Sequence, residues 1–246
     1  MLEKLSEMNY RQLLKAGGQF LYEGGNDEAE SDAWLLFEKV FQMDRVSLLM
    51  EGDHRPDDRE MVSRYMDYLR RRRGGEPVQY ILNEAWFMGL PFYVDPDVLI
   101  PRFDTEVLAE KTLEIMQAGD RVLDMCTGSG CIILSLAKLG KMSSGIGADL
   151  SEGALRVSEK NKAALGIENV TFLRSDLFEN IHETYDIIVS NPPYIPTKVI
   201  EELKSEVKDH EPRMALDGTE DGLLFYRAFA REAMDYLSDG GHLLAE

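Results

Sequence analysis

The stretch Arg121-Val122-Leu123-Asp124-Met125-Cys126-Thr127-Gly128-Ser129-Gly130-Cys131-Ile132-Ile133-Leu134 decides the fold. Arg121 to Met125 reads as a short strand, and the apolar run from Cys131 to Leu139 reads as a helix, so both glycines fall in the turn between them. Such a turn lets a ligand come close to the backbone, and the helix behind it offers unpaired N–H groups. A tight strand-to-helix turn that binds nothing would have the same pattern, so the surrounding sequence has to discriminate.

Downstream the alternation continues. Further strands are expected at Gly145 to Leu150, Val170 to Arg174, Tyr185 to Ser190 and His242 to Glu246, with helices at Thr105 to Met116, Glu152 to Leu165 and Gly222 to Leu237. Strands separated by helices of this length imply right-handed crossovers and an α/β domain, residues 96–246, whose mostly parallel sheet is covered on both faces. Residues 1–75 read instead as a small helical bundle: Leu2, Leu5, Leu13, Leu14 and Phe20 recur at helical spacing, and Ser31 with Asp32 caps a second helix. A third helix carries Met61, Val62, Tyr65, Met66 and Leu69 on one face, and it ends in Arg70-Arg71-Arg72-Arg73 before Gly74, Gly75 and Pro77. The arginine run suits a helix C-terminus and its dipole; a docking patch for an acidic partner is the other reading. Between the two parts, residues 76–95 hold short apolar stretches, VQYIL, AWFMGL and PFYV, that read as a β-hairpin linker.

Composition narrows the function. The 246 residues include 27 Lys and Arg against 45 Asp and Glu, a net charge of -18, and 44% are hydrophobic, enough for a sizeable core. The first 75 residues hold 12 basic and 15 acidic side chains, so -15 of that charge falls on the remainder. Such an acidic surface repels a phosphate backbone, and no direct nucleic-acid partner is expected. Cys126 and Cys131, the only cysteines, are too few for a disulfide framework or a four-ligand zinc site, and no metal is expected. The N-terminus lacks a signal-peptide core and no apolar run approaches the ~20 residues of a membrane span, so a cytoplasmic location and no membrane partner are expected.

Two more strand ends carry groups suited to a nucleoside. Asp149, 19 residues beyond Gly130, can accept hydrogen bonds from both ribose hydroxyls, while Asp176 can accept from an exocyclic amine and Leu177 can pack on an adenine ring. A pyrophosphate fingerprint would read G-x-G-x-x-G; here only Gly128 and Gly130 are present, and Asp124 precedes the turn. An anion would be repelled by that acid, whereas a sulfonium nucleoside with an α-amino group would not. S-adenosylmethionine is the better fit, with Asp124, Cys126, Thr127, Gly128, Ser129, Gly130, Asp149, Asp176, Leu177 and Asn191 as the residues expected to form its site.

The fourth strand runs into Asn191-Pro192-Pro193-Tyr194. Two prolines remove two N–H donors and restrict the backbone, so carbonyls can face a pocket, and the Asn side chain adds a donor and an acceptor. Together they can hold a planar –NH2 group while Tyr194 packs on its plane. This grip draws the nitrogen lone pair toward a methyl donor, and orientation supplies most of the catalysis. Asn191, Pro192 and Tyr194 are therefore the candidate catalytic residues, and Pro193 completes the substrate grip.

The motifs Asp124-x-x-Thr127-Gly128-Ser129-Gly130 and Asn191-Pro192-Pro193-Tyr194 resemble those of class I S-adenosylmethionine-dependent methyltransferases acting on planar amino groups. With RRRGGEPVQYI at 71–81, LIPRFDTE at 99–106 and HEPRMALDG at 210–218, the chain resembles the protein-glutamine N5-methyltransferases of bacterial peptide chain release factors over nearly its whole length. The resemblance implies a Rossmann-like catalytic domain, methylation of the glutamine in a Gly-Gly-Gln motif, and a helical N-terminal domain that engages the release factor. It also implies a monomer, with Arg102 binding substrate and Glu106, Glu211 and Pro212 supporting the site. Two positions depart from the family pattern: Cys126 replaces a usual glycine and Phe103 a usual proline.

Rival readings remain at this point: a glutamine of a ribosomal protein as acceptor, adenine-N6 methylation of DNA, and a fold that binds cofactor only to dock partners. The chain itself contains Gly17-Gly18-Gln19, more simply read as part of a helix end than as a substrate. Because the resembled fold continues with another helix and an antiparallel strand pair, the chain is expected to represent that fold in part.

Overall fold

The computed structural model describes residues 7–246, so Leu2 and Leu5 of the first expected helix lie outside the described residues. The chain divides into two compact units, one ending at Leu82 and one running from Asn83 to Glu246.

In the first unit α1 is Tyr10–Tyr22, α2 Ala29–Phe41, α3 Arg45–Glu51, α4 Arg59–Arg73 and α5 Val78–Leu82. A capping box starts α1: Asn9 Oδ1 accepts from Gln12 N at 2.9 Å, and Gln12 Oε1 accepts from Asn9 N at 3.0 Å. Leu13, Leu36, Phe37, Val62, Tyr65 and Leu69 are buried together as the core. Ser31 and Asp32 do not cap α2, which begins two residues earlier; Asp32 is buried in its first turn, where its carboxylate accepts from Arg72 Nε at 2.5 Å and Asn26 Nδ2 at 2.8 Å. Three of the four consecutive arginines are used within the unit. Arg71 Nε donates to Glu76 at 2.8 Å, Arg72 holds Asp32, and the Arg73 guanidinium lies 4.4 Å from the Phe20 ring centre. The run ends a helix and ties it down.

The expected strand in VQYIL is instead α5. Pro77 pre-sets a helical φ at its start, the Tyr80 and Ile81 amides donate to Pro77 O at 3.1 Å, and Val78 and Ile81 bury against the helical core. The hairpin is shorter than expected, β1 Ala85–Phe87 and β2 Leu90–Phe92, joined by Met88 and Gly89 with φ of 52° and 72°, the twist that a two-residue hairpin prefers. It belongs to the second unit, where Phe87 and Phe92 enter the core.

The second unit continues with α6 Phe103–Ile115, β3 Arg121–Met125, α7 Cys131–Leu139, β4 Ser144–Asp149, α8 Glu152–Leu165, β5 Val170–Arg174 and β6 Tyr185–Ser190. Three single-turn helices follow, α9 Thr197–Ile200, α10 Ser205–Lys208 and α11 Arg213–Leu216, then α12 Leu224–Glu232, a 3₁₀ turn Ala233–Tyr236 and β7 Leu237–Ala245. The sheet has the order β5-β4-β3-β6-β7 with every pair parallel. Alternation sorts side chains to two cores: Val122, Ile187 and Val189 pack with Leu108, Ile132 and Ile133, while Leu123, Met125 and Ile188 pack with Phe178 and Phe229. The expected last strand begins earlier, because Gly240-Gly241 forms a bulge inside β7 rather than a turn before it; Tyr185 pairs with Leu237 but Ile187 with His242. The preceding α-helix is shorter than expected, Leu224–Glu232, because the chain tightens into the 3₁₀ turn before β7.

Gly17 lies in the middle of the first unit's packing rather than in a presented tripeptide. A Cβ there would sit 2.1 Å from Tyr65 Oη, and Tyr65 is fully buried with its hydroxyl donating to Ala33 O at 3.2 Å. Gly17→Ala is expected to destabilise the protein by about 1–3 kcal/mol, overpacking outweighing the helix propensity gained. Chemical denaturation of both proteins checks it; an unchanged or raised midpoint contradicts the packing role.

Candidate active site

Because β3 has β4 on one side and β6 on the other, the chain order reverses there, and the crevice at the C-terminal ends of these strands is where such sheets bind ligands. Two turns meet in it. Ser190, buried at the end of β6, donates through Oγ to Met125 O at 2.6 Å and so locks the two strand ends together.

The turn after β3 is organised by carboxylates. Asp124 is fully buried and accepts the Thr127 hydroxyl at 2.6 Å, which folds the loop back over the strand. Thr127 N donates to Ala148 O at 3.0 Å, and Asp149 accepts from Gly128 N and Ser151 N, each at 2.9 Å, tying the loop to the end of β4. Gly130, at φ 78°, has Leu134 and Phe172 atoms 3.0 and 3.1 Å from where a Cβ would lie. Cys126 shares the left-handed conformation at φ 60°, so the position where a glycine is usual is a position that favours glycine, and the side chain costs on the order of 1 kcal/mol. Burial pushes the thiols of Cys126 and Cys131 up, the latter to about 12, so both stay protonated at neutral pH.

Burial also raises Asp124 to about 7, against the Thr127 hydrogen bond and the Ile133 amide; Oδ1 is nonetheless left without a hydrogen bond of normal geometry. Burial raises Asp149 in the same sense, opposed by the Ser151 and Gly128 amides.

A cavity of about 480 Å³ opens over these strand ends, a size typical of small-molecule sites. Cys126, Thr127, Gly128 and Ser129 line it along the turn, Asp149, Asp176 and Leu177 at β4 and β5, and Arg102, Asn191 and Pro193 across from them. Asp124 and Gly130 are not in its wall: one lies beneath the turn and the other behind it. Its charged lining is Asp97, Asp149 and Asp176 against Arg102. That imbalance, with the orphaned Asp124 oxygen below, suits a nucleoside bearing a cationic tail and repels a pyrophosphate.

A second cavity of about 220 Å³ adjoins it, lined by Pro192, Tyr194, Ile195, Leu203 and Val207. Arg102 and Asn191 line both, so they stand in the wall between the two spaces. Asn191 Nδ2 donates to Thr105 Oγ1 at 2.9 Å. Arg102 Nη2 donates to Glu211 at 2.5 Å, and the buried Glu211 also accepts from Ile100 N at 3.3 Å; burial raises its pKa while Arg102 opposes the shift. Pro212 lines the larger cavity, but Glu106 faces elsewhere, accepting from Met88 N at 2.6 Å to hold the β1–β2 turn. Phe103 opens α6 with its side chain 84% exposed, which is why a ring other than proline is tolerated there.

Three positions were not anticipated from the sequence. Thr105 lies within LIPRFDTE, but in the sequence it reads only as a helix start. Asn161, buried in α8, donates to Ser129 O at 2.9 Å and Tyr93 O at 3.0 Å and accepts from Tyr93 N at 2.7 Å; a lone Asn in a helical pattern gives no signal. Gly218 lies against the Pro193-Tyr194 backbone, where a Cβ would be 2.8 Å from Tyr194 Cα, and its amide donates to Ile195 O at 2.9 Å. Among the described residues, no group of three His, Cys, Asp or Glu side chains is placed to hold a metal, and no helix is long and apolar enough to cross a membrane.

Residues 103–207 match the family model described as the methyltransferase small domain, and residues 12–82 match the one described as the PrmC N-terminal domain. The fold is that of an α/β methyltransferase. Over 100% of its length the chain is 40% identical to the release factor glutamine methyltransferase of Geobacter sulfurreducens, covering 86% of that protein. It is also 40% identical to the enzyme of the same name from Clostridium acetobutylicum, over 90% of this chain and 80% of that one. The chain belongs to the release factor glutamine methyltransferase family.

Since the folded pKa of Asp124 is raised above its unfolded value, its contribution to stability is complete below about pH 4 and is lost as pH rises through about 7. Asp124→Asn, which mimics the protonated form, removes this loss. The stability of the wild type relative to the variant should therefore fall by about 2 kcal/mol between pH 5 and pH 7. Parallel denaturation curves for the two proteins across that range would contradict the assignment.

Proposed function

We propose that this chain, working as a cytoplasmic monomer, transfers a methyl group from S-adenosylmethionine to the side-chain amide nitrogen, N5, of the glutamine in the Gly-Gly-Gln motif of a peptide chain release factor. The observation that carries the proposal is Asn191, standing in the wall between an acid-lined cavity of nucleoside size and a smaller apolar one.

In the larger cavity Asp149 keeps lone pairs beyond those bound by Gly128 and Ser151, and these accept from the ribose hydroxyls. Asp176 accepts from the exocyclic amine and Leu177 packs on the adenine, while the backbone from Cys126 to Ser129 surrounds the amino-acid tail. When bound, the cofactor supplies an electrophilic methyl group on a sulfonium sulfur. From the smaller cavity Asn191 Oδ1 and the Pro192 carbonyl accept the two amide hydrogens, Pro193 stiffens the turn, and Tyr194 packs on the amide plane. Holding both hydrogens frees the nitrogen lone pair from conjugation, so no strong base is needed and the proton leaves to solvent. Arg102, held by Glu211, borders both spaces and positions the glutamine side chain. The net charge of -18 favours a protein acceptor with a basic surface, engaged by the helical unit, over a nucleic acid.

Incubation with labelled S-adenosylmethionine and a release factor tests this reading. Wild-type factor should be labelled and a Gln→Ala variant of its Gly-Gly-Gln loop should not; equal labelling contradicts it. Asp149→Ala is expected to weaken S-adenosylhomocysteine binding by about 10- to 100-fold in calorimetry, the loss of hydrogen bonds to a charged acceptor. Asn191→Ala should instead lower turnover by about 100-fold or more with that binding within threefold.

A further inference from the structure

We propose that Thr105 sets which atom of the Asn191 amide faces the substrate, and that this makes the site accept a carboxamide and reject a carboxylate. The inference rests on the function proposed above and adds to it a residue that determines specificity.

An asparagine amide offers a donor on one side and an acceptor on the other, and a half-turn about its Cβ–Cγ bond exchanges them. With Oδ1 toward the substrate, the site receives the –NH2 group of glutamine. With Nδ2 toward it, the site receives a carboxylate oxygen and repels –NH2. The two residues after Asn191 cannot fix the choice by donating to Oδ1, because Pro192 and Pro193 carry no N–H. Thr105 can. It is 2% exposed in the first turn of α6, and its Oγ1 accepts from Asn191 Nδ2 at 2.9 Å. In this bond the Thr105 hydroxyl oxygen is the acceptor, and it takes up one of the two Nδ2 hydrogens of Asn191. Nδ2 is thereby committed to Thr105, and Oδ1 is left for the edge where the two cavities meet. Arg102, the cation that lines both cavities, would otherwise invite a carboxylate; its Nη2 is already paired with Glu211 at 2.5 Å. Thr105 carries no charge and acts through Asn191, which makes it a positioning residue.

Thr105→Val keeps the shape and removes the hydroxyl, and Thr105→Ser keeps the hydroxyl and removes the methyl. Each is compared with wild type for kcat and KM on a release factor, for S-adenosylhomocysteine affinity, for melting temperature, and for inhibition by a factor whose Gly-Gly-Gln reads Gly-Gly-Glu. For T105V, kcat should fall by about 10- to 100-fold, the size expected of a misoriented contact, with nucleoside affinity within threefold. Inhibition by the Glu variant, relative to binding of the Gln factor, should strengthen by about tenfold or more. T105S should recover most of the rate and the wild-type preference for Gln over Glu. Unchanged kcat and unchanged Glu inhibition in T105V overturn the proposal, as does T105S failing alongside T105V, which would assign the effect to packing of the methyl group. Thr105→Ala is measured in the same way if T105V does not fold. Absence of methylation by the wild type would overturn the functional reading instead, which keeps the two failures apart.

Discussion

The buried hydrogen bond from Ser190 Oγ to Met125 O, at 2.6 Å, is the contact on which the site depends. It joins the ends of β3 and β6, the parallel neighbours at which the sheet order reverses. On one side of it the chain enters the glycine turn; on the other it enters Asn191-Pro192-Pro193-Tyr194. Locking these ends sets a nucleoside-sized cavity and an apolar cavity side by side, with Asn191 between them. The sheet positions the turns and the turns carry the candidate groups, the usual division of labour in open α/β folds.

Charge reinforces the geometry. The excess of acid in the sequence is also present locally, in Asp97, Asp149 and Asp176 around the larger cavity and in Asp124 beneath it. Burying Asp124 with one oxygen unpartnered is costly, and its raised pKa reflects that cost. The turn nevertheless needs it, because the Thr127 hydroxyl has Asp124 as its anchor. Cys126 adds a second local strain, a side chain at φ 60° where the wall of the cavity begins.

Much of the fold was legible because its signals are local and periodic. Three strands, β3, β5 and β6, and two helices, α7 and α8, run between the residues that apolar runs and glycines mark out. Where elements were misread, tertiary context overrode local propensity, burial in one case and strand pairing in another. VQYIL is β-prone by composition, yet Pro77 and the apolar face of the helical unit make it α5, and Gly240-Gly241 reads as a turn but serves as a bulge. The site was legible where one residue type has one chemical use, as in Asn191-Pro192-Pro193-Tyr194. It was opaque where the work is done by a partner distant in sequence. Thr105 meets Asn191 across 86 positions, and Asn161 meets Tyr93 across 68, with nothing in either local stretch to announce it.

The most direct measurement is a crystal structure of the protein with S-adenosylhomocysteine and a release factor fragment carrying the Gly-Gly-Gln loop. The nucleoside should lie in the larger cavity against Asp149. The glutamine side chain should enter the smaller one and place its amide nitrogen about 3 Å from Asn191 Oδ1. A glutamine bound elsewhere, with the wall at Asn191 uncontacted, would contradict the central claim that methyl transfer occurs where the two cavities meet.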